Sequence, residues 1–232
     1  MDLSLILPCY NEEKILEKNF QEIIKILEIL KCEWEIIFVD DKSTDNTIKI
    51  IEKFISNYPN IKLITHQRNM GRGKTVVDGI INSSGKIVGY MDIDLEIHAR
   101  YIPSVIAEIK NGADIVNGYR FYKVNLSNFH RFLLSRGYNF MVRKFLKLPF
   151  LDTEAGFKFF KREAILFLIK NTTSNHWFWD TEIMAYAFKY NFKIVNIPVL
   201  FIKKPEKKST VNITKDTFYY LNNIIKFKKK FY

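Results

Sequence analysis

Ile87-Val88-Gly89-Tyr90-Met91-Asp92-Ile93-Asp94-Leu95-Glu96 is an apolar run that breaks into three carboxylates at alternate positions. Its first half has the length and composition of a buried strand in a parallel sheet. In an extended chain residues i, i+2 and i+4 share one face, which points Asp92, Asp94 and Glu96 the same way, just past the strand's carboxyl end. That edge is where open α/β sheets bind ligands. Clustered carboxylates repel one another unless a cation relieves them. Their hard oxygens suit Mg²⁺ or Mn²⁺, either of which also holds diphosphate oxygens.

Outward from this stretch, apolar segments of strand and helix character alternate over the first 120 residues. Strands are expected at 3–7, 34–39, 61–65, 86–91 and 113–117. Helices are expected from Asn11 to about position 30, over 47–56, from Gly71 to about 82, and over 103–110. This alternation indicates βαβ units and a doubly wound, mostly parallel sheet. Beyond Arg120 the pattern turns helical. Segments 128–147, 161–170, 180–190 and 214–229 read as helices, with a strand at 192–197. The last helix carries Phe218, Leu221, Ile224 and Ile225 on one stripe and ends in Lys228-Lys229-Lys230.

Composition narrows the class. The chain has 232 residues, 47% of them hydrophobic, enough for a core and too many for disorder. Cys9 and Cys32 form no CxxC pair and the four histidines are scattered, so neither a disulfide framework nor a zinc site is indicated. A reducing, cytoplasmic location is expected. The amino terminus lacks the basic region of a signal peptide, and no apolar run reaches the ~18 residues of a membrane span. The net charge of +11 calls for an anionic partner. Gly73-Lys74-Thr75 resembles the tail of a P-loop, but the position of its first glycine is Arg68. No GxGxxG follows the first strand, which argues against a dinucleotide dehydrogenase. No aromatic–basic RNA-binding signature is present, so nucleic acid is not the expected partner.

Pro8-Cys9-Tyr10-Asn11-Glu12, Val39-Asp40-Asp41-Lys42-Ser43-Thr44-Asp45-Asn46-Thr47 and Met91-Asp92-Ile93-Asp94 occur in this order, each after a strand. The set resembles family 2 glycosyltransferases of the GT-A fold. Asn117-Gly118-Tyr119-Arg120, Arg131 with Ser135, the stretch Asp152-Thr153-Glu154-Ala155-Gly156-Phe157-Lys158, and Trp179-Asp180-Thr181-Glu182 narrow the likeness. They are similar to dolichyl-phosphate mannose and glucose synthases and their bacterial polyprenyl-phosphate relatives. The resemblance covers about residues 3 to 210. It implies a catalytic domain over 1–210, and the apolar stripe and lysines beyond it read as a separate amphipathic basic helix over 211–232.

Roles follow from the resemblance. Pro8, Tyr10, Glu12, Val39 and Asp41 line the nucleotide pocket. Asp92 and Asp94 form a DxD motif that binds diphosphate through Mg²⁺ or Mn²⁺, with Glu96 as a third oxygen ligand. Asp94, Arg120, Arg131 and Asp152 form the catalytic group. Arg120 and Arg131, with Ser135, hold an acceptor phosphate, and Lys204 closes over the diphosphate. The implied reaction moves a hexose from a UDP- or GDP-sugar to a polyprenyl or dolichyl phosphate with inversion. A phosphate monoester is largely dianionic at pH 7 and needs positioning more than a base. A family 2 enzyme acting on a hydroxyl would need a base, for which Asp152, Asp180 and Glu182 are the candidates. A sugar nucleotidyltransferase would need a glycine-rich first loop that Pro8 to Glu12 does not supply. A non-catalytic membrane- or nucleotide-binding protein would have little use for the carboxylate cluster. A lipidic acceptor implies a peripheral site on the cytoplasmic face of an anionic membrane. Lys226, Lys228, Lys229 and Lys230 of the last helix would meet that surface, alone or beside a membrane protein.

Overall fold

The computed structural model describes residues 1–122, 129–204 and 213–231, without the side chains of 129–135 and 213–221. Seven strands form one sheet: β1 (Leu3–Cys9), β2 (Trp34–Asp40), β3 (Ile61–Thr65), β4 (Ile87–Met91), β5 (Ile115–Tyr122), β6 (Phe157–Lys161) and β7 (Ile194–Phe201). Their order is β3-β2-β1-β4-β6-β5-β7. All neighbours are parallel except around β6, which runs antiparallel to both β4 and β5.

Period-two alternation explains the two-sided core. Leu3, Leu5 and Leu7 of β1 and Ile36 and Phe38 of β2 face one apolar cluster. Ile6, Ile37 and Val39 face the other. The first cluster is covered by α1 (Leu16–Ile29), α2 (Thr47–Asn57) and α4 (Ile102–Lys110). The second is covered by α3 (Arg72–Ile81), α5 (Phe129–Leu146), α6 (Arg162–Ile169), α7 (Trp179–Lys189) and α8 (Ile213–Phe231). In β4, Ile87 and Met91 join the first cluster and Val88 and Tyr90 the second. Gly89 is bare because a Cβ there would lie 2.1 Å from the Phe159 ring.

Several expectations change, and β5 and β7 each run about four residues further than expected. The first helix begins at Leu16, not at Asn11. Residues 11–13 instead bond to the next loop, because short polar side chains compete with helix formation. β1 runs through Pro8, which lies beyond the last β1–β4 pair, Ile6 with Tyr90. β6 was not anticipated. It is short and enclosed by β4 and β5, and it interrupts its apolar run with the buried Lys158.

The C-terminal helix forms as expected and packs through Ile224, Phe227 and Phe231, all buried. Phe227 meets the Phe178 and Tyr186 rings edge-on. Ile225 stays 52% exposed, beside exposed Lys226, Lys228, Lys229 and Lys230.

Candidate active site

The parallel register brings the carboxyl ends of β1, β2 and β4 to one edge of the sheet, where β6 begins. β1 lies between β2 and β4, where the winding reverses, and a crevice opens at such a point. Two loops there are stitched together. The backbone N–H groups of Asn11, Glu12 and Glu13 donate to Ser43 Oγ (2.8 Å), Thr47 Oγ1 (2.8 Å) and Asp45 Oδ2 (3.1 Å). In return Thr44 N–H donates to Asn11 Oδ1 and Asn46 N–H to Glu13 Oε2. This exchange fixes the loop that presents Tyr10, 49% exposed at the edge.

The two neighbouring aspartates differ. Asp41 does not cap α2. Its carboxylate accepts from the N–H groups of Met70 (2.7 Å) and Gly71 (2.9 Å) and bonds to His66 Nδ1 (2.8 Å). It therefore holds the turn that starts α3, where Gly71 has φ 90. The other His66 nitrogen meets Asp78. Asp40 is fully buried, and one of its oxygens accepts from Ser43 N–H. Among the described residues its Oδ1 has no hydrogen-bond partner, a costly arrangement for a buried acceptor. Val39 is fully buried in the core, so its side chain is closed to a base.

After Met91 the chain turns instead of staying extended. Leu95 N–H bonds back to Asp92 O, and Leu95 has φ 53. Asp92, Asp94 and Glu96 therefore do not share a face by strand alternation. The expectation came from carrying the strand period into what is a tight turn. The Asp92 side chain is 37% exposed. Asp94 is buried, and its Oδ1 accepts from Glu96 N–H at 3.1 Å. Among the described residues no three His, Cys, Asp or Glu side chains converge for a metal. Asp92 and Asp94 remain a two-carboxylate donor set of hard oxygens. That is compatible with Mg²⁺, which takes one or two carboxylates and keeps water and phosphate ligands.

Arg72 was not singled out from sequence. Its Nε and Nη2 donate to Asp92 Oδ1 at 3.0 and 2.8 Å, and Nη1 donates to Asp180 Oδ2. Asp180 Oδ1 accepts from Tyr90 OH (2.6 Å) and Lys158 Nζ (2.9 Å). The guanidinium lies 5.6 Å from the Tyr90 ring centre and 5.2 Å from that of Trp177. Burial disfavours the Arg72 charge, yet Asp180 and Asp92 overcome this and hold the group protonated. Burial also pulls the Lys158 ammonium below its ordinary value, against the attraction of Asp180. Gly156 makes room for the group, since a Cβ there would lie 2.0 Å from Asp92 Oδ2. Trp177 is half-exposed over Arg72, whereas Phe178 and Trp179 are buried core residues.

At the end of β5, Arg120 grips Asp152. Nε donates to Oδ2 at 2.6 Å, Nη2 to Oδ1 at 2.9 Å, and the Arg120 backbone N–H to Oδ2 at 3.1 Å. Glu154 Oε2 stands 3.8 Å from Nη2. Burial raises the Asp152 pKa, but Arg120 outweighs it and holds the carboxyl below its usual range. Glu182 accepts from the N–H groups of Thr173 and Ser174 and from the Thr173 hydroxyl, which ties down the loop before α7. Lys204 Nζ donates to Asn19 Oδ1 (3.0 Å), whose amide in turn bonds to Ile93 O beside the turn. The side chains of Arg131 and Ser135 lie outside the described residues.

Comparison with known proteins agrees with this fold. A family model described as glycosyl transferase family 2 matches residues 4–167. The chain is 28% identical to glycosyltransferase AglD of Haloferax volcanii, over 93% of this chain and 35% of that protein. It is 29% identical to dolichyl-phosphate beta-glucosyltransferase ALG5C of Trichomonas vaginalis, over 84% of this chain and 62% of that protein. A dolichyl-phosphate beta-glucosyltransferase of Dictyostelium discoideum is 31% identical over 97% of this chain and 77% of its own length. The chain thus spans less than two thirds of the first two relatives. Glucosyl-3-phosphoglycerate synthase of Mycobacterium tuberculosis, solved with Mn²⁺, UDP and glucosyl-3-phosphoglycerate, superposes with a TM-score of 0.70 at 17% identity. The superposition covers 97% of this chain and 77% of that one. TarS of S. aureus with UDP-GlcNAc gives 0.65 at 19% identity, over 97% and 65%. At these identities the structural likeness speaks for the fold.

Proposed function

The chain belongs to glycosyl transferase family 2, and from that premise we propose that it moves a hexose from a nucleotide diphosphate sugar to a polyprenyl phosphate. The transfer is a single displacement with inversion, giving a β-linked product. Glucose is the first hexose to test and UDP the first nucleotide, with GDP as the competing base. The names of the dolichyl-phosphate glucosyltransferase relatives support this reading.

One observation carries the choice of acceptor. The three carboxylates named from sequence as candidate bases for a hydroxyl nucleophile are all engaged within the chain: Asp152 by Arg120, Asp180 by Arg72 and Lys158, and Glu182 by Thr173 and Ser174. Asp152, held below its usual pKa by Arg120, is a weak base. A phosphate dianion needs none.

In this reading the loop of Pro8, Tyr10 and Glu12 receives the nucleotide. Asp41 shapes the pocket through the 69–71 turn. Asp92 and Asp94 hold Mg²⁺ or Mn²⁺, which would compensate the charge of the departing diphosphate. Glu96 contributes its backbone N–H to Asp94. Lys204 faces the diphosphate side. Arg120 takes the acceptor phosphate, oriented by Asp152, with Arg131 and Ser135 alongside.

No described helix is long and apolar enough to cross a membrane. Residues 1–210 act as the catalytic unit, and 211–232 add to a membrane-facing surface. That surface joins Ile225 and the lysines of α8 to exposed Phe140 and Phe145 of α5. Lys144 and Lys228 stand 5.9 Å over those two rings. Exposed aromatics ringed by lysines match an anionic bilayer at the cytoplasmic face.

The test offers labelled UDP- and GDP-hexoses with a short polyprenyl phosphate and, in parallel, the matching polyprenol. Transfer to the phosphate alone is expected. Transfer to the alcohol would move the assignment to a hydroxyl acceptor.

A further inference from the structure

Arg72 occupies an unusual position. Two of its N–H groups sit on Asp92 Oδ1, the first carboxylate of the donor set, and a third on Asp180 Oδ2. Its side chain is only 9% exposed. Its far anchor is itself fixed, because Asp180 is held by Tyr90 OH and Lys158 Nζ. Two ring faces, Tyr90 and Trp177, flank the guanidinium. Within the group Arg72, Lys158, Asp92 and Asp180 the charges cancel.

From this arrangement we propose that Arg72 is an internal counter-ion that competes with the divalent cation for Asp92 and thereby couples metal binding to nucleotide binding. The inference rests on reading Asp92 and Asp94 as metal ligands and concerns how that site is regulated. In the nucleotide-free protein Arg72 neutralises Asp92 and lowers its affinity for a lone cation. When cation and diphosphate arrive together, Arg72 yields Asp92 while Asp180 and the two rings retain it. Its freed N–H groups then face phosphate oxygens, which replace the carboxylate as acceptors. A cation alone breaks the Arg72–Asp92 pair without giving Arg72 a new partner, whereas a cation with diphosphate supplies one. The coupling is reciprocal by linkage.

Mn²⁺ binding, followed by loss of the free-ion electron paramagnetic resonance signal with and without UDP, reads this directly. Wild type is expected to bind Mn²⁺ weakly alone and tighter with UDP, by roughly 5-fold or more, within ordinary coupling strengths. In Arg72→Met, Mn²⁺ alone should bind tighter by a similar factor and the effect of UDP should shrink towards none. Arg72→Lys, which keeps the charge but loses the forked contact, should fall between. Asp180→Asn leaves the Arg72 charge on Asp92 alone and should weaken binding of Mn²⁺ alone, so it decides the matter if Arg72→Met does not fold. A folded Arg72→Met with the Mn²⁺ affinity and UDP coupling of wild type overturns the inference alone. So does an Asp180→Asn whose Mn²⁺ affinity is unchanged or increased. A wild type that binds no Mn²⁺ with either UDP or GDP overturns the metal-ligand reading and the inference with it.

Discussion

Arg120 and Asp152 form a forked ion pair reinforced by a third bond from the arginine's own backbone N–H to the same carboxylate. The guanidinium is therefore aimed by two contacts to a carboxylate that the third bond holds in place, at a side-chain exposure of 15%. A partly shielded, pre-aimed arginine is suited to a phosphate, because little rotamer freedom remains to be lost on binding.

Removing the fork should weaken acceptor handling selectively. Arg120→Lys keeps the charge but loses the planar donors, and kcat/KM for the polyprenyl phosphate should fall by roughly 10- to 100-fold. The KM for the nucleotide sugar should change little. Asp152→Asn should lower kcat/KM by a similar factor at every pH from 6 to 9, since Asp152 orients and does not titrate there. A loss confined to part of that range would mark Asp152 as a base.

Gly156→Ala separates site damage from fold damage. The new methyl meets Asp92 Oδ2 and Arg72 Nη2, both ends of side chains that can move aside. Activity should fall by about 10²-fold, the scale of an ångström-level misplacement. The Tm should move by no more than about 3 °C, the equivalent of about 1 kcal/mol at this length. Gly89→Ala is the contrast, because its methyl meets the buried Phe159 ring and should destabilise by about 1–3 kcal/mol. Equal Tm losses in the two variants would contradict this distinction.

Acid stability should show one buried carboxylate clearly. Glu35 is 1% exposed, and burial alone would raise its pKa. Bonds from Lys62, Ser4 and Ser84 outweigh burial and lower it from 4.5 to about 2. A depressed pKa contributes stability that is present above the ordinary value and is lost as pH falls. Unfolding free energy should therefore drop between about pH 4.5 and 2, with Glu35 accounting for about 3 kcal/mol. Glu35→Gln should be less stable at neutral pH and lose that part of the slope in urea titrations. An unchanged slope would remove Glu35 from the account.

Membrane binding should depend on salt and on α8. Replacing Lys228, Lys229 and Lys230 by Gln removes three cations from the proposed surface. At about 1 kcal/mol each, affinity for phosphatidylserine vesicles should fall by roughly 100-fold. Phe140→Asp should weaken binding further. Vesicle binding that is indifferent to all four changes would place the membrane contact elsewhere.

Much of the sheet was legible because buried strands and amphipathic helices leave periodic apolar patterns. Ile61–Thr65 and Ile87–Met91 are such strands, and Thr47–Asn57 is such a helix. Pro198 and Gly118 hid the second halves of β7 and β5. The structure runs both strands through these residues as a parallel pair. The edge position of β7 lets it tolerate a proline. The site was legible only where its residues follow strand ends. Arg72 is 20 residues from Asp92 and 108 from Asp180, and no local pattern joins positions that far apart. The distinct fates of Asp40 and Asp41 depend on which neighbours the folded loops supply, and spacing does not reveal these.

The central claim is transfer of a hexose to a lipid phosphate at a site that uses Asp94. The most direct measurement incubates wild type and Asp94→Ala with labelled UDP-glucose, a short polyprenyl phosphate and Mg²⁺ or Mn²⁺, followed by extraction into chloroform. Labelled lipid formed by wild type and at least ~100-fold less by the variant is the predicted result. Free glucose as the sole product across UDP- and GDP-hexoses, or lipid product formed equally by Asp94→Ala, would contradict it.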